Sequence, residues 1–333
     1  MLSRVANSIF WISRYIERAE NIARFIEVNQ NLSLDFQAGL ATQWSPLIHA
    51  TDDEDRFTEL YPDFRQANVV RFMTFDDRNP NSILSCVECA RENARTIREN
   101  ITTAMWEEIN KFCRFVRDSA EDPNVMQQPL RFLDQVKRFS HTFLGVTDST
   151  LSHGEAWHFC YMGRLLERAD KTSRILDVKY FLLFPNPDEA ETELDVVQWT
   201  ALLNSTSALV MYRKRHGRIQ PTKVADFLIL DREFARSIRF CITQARESLW
   251  AITGSSNPEF NNRAQQVLGR LKTNLDYTNI DDIIGKGLHK FIDEFQVQLN
   301  DAGTAISECF FFPTSTSQES TSMSAGVART PVV

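Results

Sequence analysis

Arginine and glutamate recur at fixed spacing in two stretches of this chain. Arg14, Glu17, Arg18, Glu20 and Arg24 fall within about three helical turns, and Arg164, Glu167, Arg168, Asp170 and Arg174 repeat the pattern 150 residues later, with no gap. Arg14 with Arg18, and Arg164 with Arg168, are like-charged pairs one turn apart, an arrangement that costs a few tenths of a kcal/mol in an isolated helix. Glu20 with Arg24, and Asp170 with Arg174, are favourably oriented supporting pairs. Placing two guanidinium groups one turn apart, twice, makes sense if something anionic lies between them. That anion is either a carboxylate of the sister segment or a bound ligand, because arginine holds carboxylate and phosphate in a bidentate fork. Glu17 or Glu167, if buried beside such arginines, could also be tuned as a general base at a carboxylate or acyl-phosphate site. A plain solvated charged face is the remaining reading.

Other chemistry is sparsely represented. No GxGxxG or Walker-type string and no GxSxG elbow occurs, so the chain is expected to bind no nucleotide or other cofactor of its own. Cys86 and Cys89 form a lone CxxC with no second pair to complete a zinc site, and buried thiols are expected there. Glu155-Ala156-Trp157-His158 has the ExxH spacing of di-iron bundles, but those need a second ExxH that this chain lacks, so no metal is expected. His153 and His158, near Arg164, are read as structural histidines.

The elements that must carry these residues are helices. Only 11 Gly and 11 Pro occur in 333 residues, which argues against a turn-rich sandwich or barrel. Ile12, Tyr15, Ile16, Ala19, Ile22, Ala23 and Ile26 fall on one side of a 100° wheel, with Arg14, Glu17, Arg18, Asn21 and Arg24 on the other. This predicts a first helix of about seven turns. Further helices are expected at 82–118, 127–150, 155–183, 195–215, 231–252, 258–275 and 280–308. The apolar face repeats too, with Ile12, Tyr15, Ile16 and Ile26 matching Met162, Leu165, Leu166 and Leu176. Two copies suggest a duplicated helical unit rather than a solenoid. Glu88–Arg95 and Asp231–Arg236 are weaker echoes of the same Arg/acid alternation. Pro185-Asn186-Pro187-Asp188 reads as a loop between packed helices, and the Ser/Thr-rich stretch 313–333 as a disordered tail.

Charge and composition bound the setting. A net charge of −7 speaks against nucleic acid as a main partner. The longest uncharged run, between Asp195 and Arg213, is too short and polar to span a bilayer. Six cysteines in a chain of this length, with no signal-peptide pattern at the start, fit a reduced cytoplasmic setting. The 24 Phe are expected to fill helix–helix contacts or a partner groove rather than a cofactor box.

Several ordered motifs resemble one family. Met1-Leu2-Ser3-Arg4-Val5-Ala6-Asn7-Ser8, Arg14-Tyr15-Ile16-Glu17-Arg18-Ala19-Glu20-Asn21, Phe75-Asp76 with Asn79-Pro80-Asn81-Ser82-Ile83, and Ala90-Arg91-Glu92-Asn93-Ala94-Arg95 resemble the bacterial alpha-E domain proteins. So do Met105-Trp106-Glu107, Gly163-Arg164-Leu165-Leu166-Glu167-Arg168-Ala169-Asp170 and Arg236-Ser237-Ile238, with Ala235 where the family usually carries proline. The resemblance implies an all-helical protein associated with circularly permuted ATP-grasp proteins, and hence with an ATP-dependent amide-ligase pathway that makes or modifies a peptide.

The expected architecture is therefore an all-α, elongated multi-helix array or bundle. One helical domain would span 1–312, in two related halves of about 1–150 and 151–312. Three functions stay open: an accessory subunit that binds an ATP-grasp-type ligase and positions an acidic or peptide substrate through its arginines; an enzyme using Glu17 or Glu167; or a structural Arg–Glu clasp joining the halves. A homo-oligomer is compatible with each.

Overall fold

The computed structural model describes residues 1–35, 44–51, 53–183, 193–254 and 260–312, and among these no strand occurs. The expected Pro185–Asp188 loop and the tail from 313 lie outside the described residues. Sixteen α-helices follow in order: α1 (Ser3–Asp35), α2 (Ser45–Thr51), α3 (Glu54–Leu60), α4 (Gln66–Thr74), α5 (Ile83–Thr96), α6 (Thr103–Glu121), α7 (Pro123–Gln127) and α8 (Pro129–Thr150) come first. The rest are α9 (Glu155–Leu183), α10 (Glu193–Ser205), α11 (Leu209–His216), α12 (Pro221–Leu230), α13 (Ile238–Thr253), α14 (Arg263–Tyr277), α15 (Ile280–Lys286) and α16 (Leu288–Ile306). A π-turn, Ser307–Phe311, closes the series.

The all-α class is as the periodicity predicts, but several long helices are broken by local chemistry. The expected 82–118 helix is two helices, because the Thr102 side chain accepts from the Met105 N–H and starts α6 anew. The 280–308 helix breaks at Gly287, whose φ of 95° a residue with a side chain rarely adopts. The 195–215 helix breaks between α10 and α11, where Ser207 has a φ of 53°. The 231–252 helix begins only at Ile238. Before it, the Asp231 carboxylate accepts from the N–H groups of Glu233 and Phe234 and holds a turn, and Ser237 caps α13 by accepting from the Phe240 N–H.

The duplication seen in the sequence is a duplication of packing. In the first half, α1, α5, α6 and α8 form a ring of four helices, each against the next; in the second, α9, α13, α14 and α16 do the same. The rings meet through α1 and α9. The Met1 ammonium meets Glu155, Ser13 meets Cys160, and Arg18 meets Glu167. A sequence separation that stays close to 150 along the whole contact requires the two helices to run parallel, each residue beside its own repeat partner. The connecting segments reinforce the join: α2 of the first half packs on α9, and α10 of the second half packs on α1.

This pairing buries both central helices on nearly all sides, including their charged faces. Ile9, Ile12, Ile16, Ala19 and Ile26 of α1, with Met162, Leu165, Ala169 and Leu176 of α9, belong to one continuous apolar core that runs through both halves. The two helices approach closely at Gly163, where an added Cβ would sit 2.4 Å from the Phe10 carbonyl oxygen.

Candidate functional site

The two charged faces meet at the α1–α9 contact and neutralise one another reciprocally. Arg18 donates to Glu167 through Nε (2.7 Å to Oε1) and Nη2 (3.1 Å to Oε2). Arg168 donates to Glu17 through Nε (2.9 Å to Oε1) and Nη2 (2.8 Å to Oε2). Each glutamate–arginine dipeptide thus clasps its copy, residue i of one half reaching residue j of the other and the reverse, as in a two-fold interface. Both forks are bidentate, the strongest neutralising geometry for a carboxylate.

Each carboxylate then takes a second cation. Glu167 receives Arg14 Nε at 2.8 Å, with the Lys171 ammonium 3.6 Å away. The repeat would put Arg164 in the matching place at Glu17, but that place is filled by Arg236, which donates Nη1 to Glu17 at 3.0 Å and to Asn21 at 3.1 Å, and Nη2 to Glu20. Arg236 arrives from the turn just ahead of α13. Displaced, Arg164 lays its guanidinium over the Tyr161 ring at 4.6 Å, and its Nε is buried with no hydrogen-bond partner. Arg24 pairs with Glu20 one turn back and also reaches the Ser207 hydroxyl and His141, and Arg174 pairs with Asp170. Glu20 is completed by the Ser140 hydroxyl at 2.6 Å and His141 at 3.3 Å.

Burial makes these contacts matter. Glu17, Glu20 and Glu167 are at most 1% exposed. Desolvation alone would push their carboxyls up. The opposing guanidinium groups outweigh it: Arg168 and Arg236 hold Glu17 below the usual carboxylate range, and Arg236 with His141 and Arg24 holds Glu20 well below it. Glu167 is held well below by Arg18 and Arg14. All three stay ionised at neutral pH. A general base needs a pKa near the working pH and an open lone pair; every oxygen of Glu17 and Glu167 already accepts at least one donor.

The thiols repeat as well. Cys86 on α5 and Cys241 on α13 each lie beside a clasp, with Sγ towards the carbonyl of Asn81 (3.4 Å) and of Ala235 (3.6 Å). Burial pushes both up to about 12, so they stay protonated; of the Cys86/Cys89 pair, expected to be buried, Cys86 is buried and Cys89 only partly so. Glu155 of the ExxH string binds the Met1 ammonium at 2.7 Å. Among the described residues, one group could offer three metal donors: Asp177, His289 and Asp293. His289 engages Asp177 through Nδ1 at 2.6 Å and Asp293 through Nε2 at 3.4 Å, so it serves as an α9–α16 tie.

Against this geometry, the comparisons with known proteins are direct. A family model described as "a predicted alpha-helical domain with a conserved ER motif" matches residues 1–311. The chain belongs to the Alpha-E family. Glu17-Arg18 and Glu167-Arg168 are two such Glu-Arg dipeptides, and in this Alpha-E chain they are the reciprocal clasp. Uncharacterized proteins of Mycobacterium bovis and Mycobacterium tuberculosis are 23% identical to it over 292 residues. The match takes in 82% of this chain but only 32% of theirs, so the Alpha-E chain spans about a third of the curated relatives it matches. No solved structure matches it significantly.

Arg236 figures in the sequence only in the Asp231–Arg236 echo and a family motif, not among the candidate anion-binding arginines, although the signal exists at a different offset. Asp76, Ser82 and Ile83 match Asp231, Ser237 and Ile238 at a shift of 155, which makes Asn81 the counterpart of Arg236. Asn81 does meet the clasp, accepting from Arg18 Nη1 at 2.8 Å.

Proposed function

We propose that this Alpha-E chain is a non-catalytic helical module that supports an ATP-grasp-type amide ligase in making or modifying a peptide. The observation that carries the reading is the saturation of Glu17 and Glu167 by four guanidinium groups. The residues best suited to chemistry are spent on joining the two halves, which leaves the outer faces of a rigid body for partners. The family resemblance supports an ATP-grasp neighbour. So does the greater length of the mycobacterial relatives, in which the matched part is joined to about twice as much further chain. An acidic or peptide substrate would be held with the ligase rather than at the clasp.

The test is co-purification of the tagged chain with ATP-grasp proteins from the same genome, together with ATP-dependent ligation measured with and without the chain. Stable association, and ligation that rises when the chain is added, is the expected result. Substantial ATP turnover by the chain alone would instead make it an enzyme, and full ligation without any association would remove the accessory role.

A further inference from the structure

Two adjoining cavities open on the second ring, lined by none of the clasp residues. One, of about 400 Å³, opens between α14, α15 and α16 over an apolar floor that includes Leu271, Leu275, Ile283 and Phe295. Its mouth is crossed by two polar pairs, Asn274 with Gln298 at 3.1 Å and Lys286 with Glu294. The other, of about 420 Å³, lies between the start of α13 and the end of α14 and is lined by Arg232, Arg239 and Lys272 against a single carboxylate, Asp276. Tyr277 lines both.

Three features of this double cleft are unexplained by the fold. Tyr277 is 85% exposed and Ile284, on the adjoining α15, is 48% exposed, so apolar side chains stand in water beside an apolar floor. Arg239 and Lys272 share Asp276, while Arg232 is exposed and has neither an ion pair nor a hydrogen bond among the described residues. The second cavity, with three cations to one carboxylate, also runs against the chain as a whole, whose net charge is −7, whereas Lys286 in the first is offset by Asp282 and Glu294. A uniformly acidic surface gives no field that would attract an acidic partner; this cleft supplies one locally.

We infer that this double cleft is a docking site for an acidic amphipathic segment of a protein partner, with an apolar side chain seated over Leu275 and Phe295 and carboxylates on Arg232 and Arg239. The inference rests on the accessory role proposed above for the identity of the partner, but not for the chemistry of the cleft. An apolar anchor in a pocket with charge pairing at its rim is the usual composition of a peptide-binding groove. Tyr277, at the junction, covers the backbone between anchor and carboxylates. The two cavities together run across four helices, a reach suited to a chain segment.

The experiment uses the full chain and a fluorescein-labelled glutamate–leucine amphipathic peptide, followed by fluorescence polarisation. Lysine–leucine and glutamate–serine peptides of the same length serve as controls. The expected result is saturable binding of the glutamate–leucine peptide alone, weakened by about tenfold or more in Tyr277→Ala and in Arg232→Glu. Both positions are exposed, so thermal unfolding should be unchanged in each variant. The inference is overturned if the glutamate–leucine peptide does not bind, if the lysine–leucine peptide binds as well, or if both variants bind like wild type. Displacement of the peptide by pyrophosphate would reassign the cleft to a phosphate ligand and overturn it too. If the ligase co-purifies equally with wild type and with the Tyr277→Ala/Arg232→Glu double variant, the accessory role stands and docking at this cleft fails. If the peptide binds as expected but no ligase associates, the cleft stands and the accessory role fails.

Discussion

Single side chains set the energetics of the clasp, and the broken symmetry at Glu17 allows a controlled comparison. Removing one partner of a buried ion pair leaves an uncompensated charge and costs roughly 3–5 kcal/mol. Glu167→Ala would strand Arg14 and Arg18 together, with Lys171 left on Asp170, so denaturant unfolding should show a loss in that range. Arg168→Ala, which strands Glu17 beside a lone Arg236, should do the same. Arg164 holds the same repeat position as Arg14 but has no carboxylate, and Arg164→Ala should cost about 1 kcal/mol or less, the worth of a partly exposed cation–π contact. Equal losses from Arg164→Ala and Arg168→Ala would mean that the displacement of Arg164 has been misread. The same carboxylates set the acid limit. Their folded pKa values are depressed, so the unfolded chain binds protons first as pH falls. Their stabilisation is complete above the unfolded value of 4.5 and is lost as pH drops through the lower folded values. The melting temperature should therefore be nearly flat between roughly pH 5 and 8 and fall steeply below. In Glu167→Gln, which removes one of these carboxylates, the acid fall should be shallower.

At the scale of elements, α1 and α9 can run parallel in repeat register only because one residue at their crossing has no side chain. Gly163→Ala would drive a Cβ into the Phe10 carbonyl, which is backbone and cannot swing aside. Overpacking of this kind costs about 1–3 kcal/mol, against the gain of about 1 kcal/mol that alanine brings to a helix interior. Gly145, in the middle of α8, faces open space, so Gly145→Ala should show the gain alone. Opposite signs for the two variants in urea unfolding are the expected result; a stabilised Gly163→Ala would remove the close approach. Much of this arrangement was legible in the sequence. The 150-residue shift named Arg18, Glu167 and Arg168 before any coordinates, because a repeat in exact register is preserved when parallel helices lie side by side. The polar face of α1 was harder to place. Periodicity separates polar from apolar positions but does not reveal that the polar face meets an oppositely charged copy instead of water. Arg236 escaped because its segment repeats at a shift of 155, the extra residues having entered the connection between α9 and α13. The short helices α2, α3, α4 and α12 escaped for want of length, since periodicity needs two or three turns to declare itself.

For the whole molecule, the question is whether the two rings are separate bodies or halves of one. Each is a closed circuit of four helices, and if each held its own core, either should fold alone. The packing argues otherwise. The buried apolar side chains form one continuous cluster, α2 covers the central helix of the opposite ring, and α10 reaches across in the same way. A fragment ending at Ser152, in the exposed turn before α9, would bare the α9-facing side of α1, with Phe10, which lies against Gly163, in water. It would also leave Glu17 without Arg168 and Arg236. The complementary fragment from His153 would expose Cys160 and Gly163, which lie against Ser13 and Phe10, and leave Arg168 without its carboxylate. Each fragment should therefore show helical circular dichroism without a cooperative thermal transition, since secondary structure can persist where fixed packing is lost. Mixed in equal amounts, the two should form a 1:1 complex by size-exclusion chromatography and recover a cooperative melt. Arg168→Ala in the second fragment should weaken that complex, because the reciprocal forks would then have to form from one side only. A first fragment that melts cooperatively alone, at the temperature of the full chain, would show that the clasp joins two bodies that were already stable.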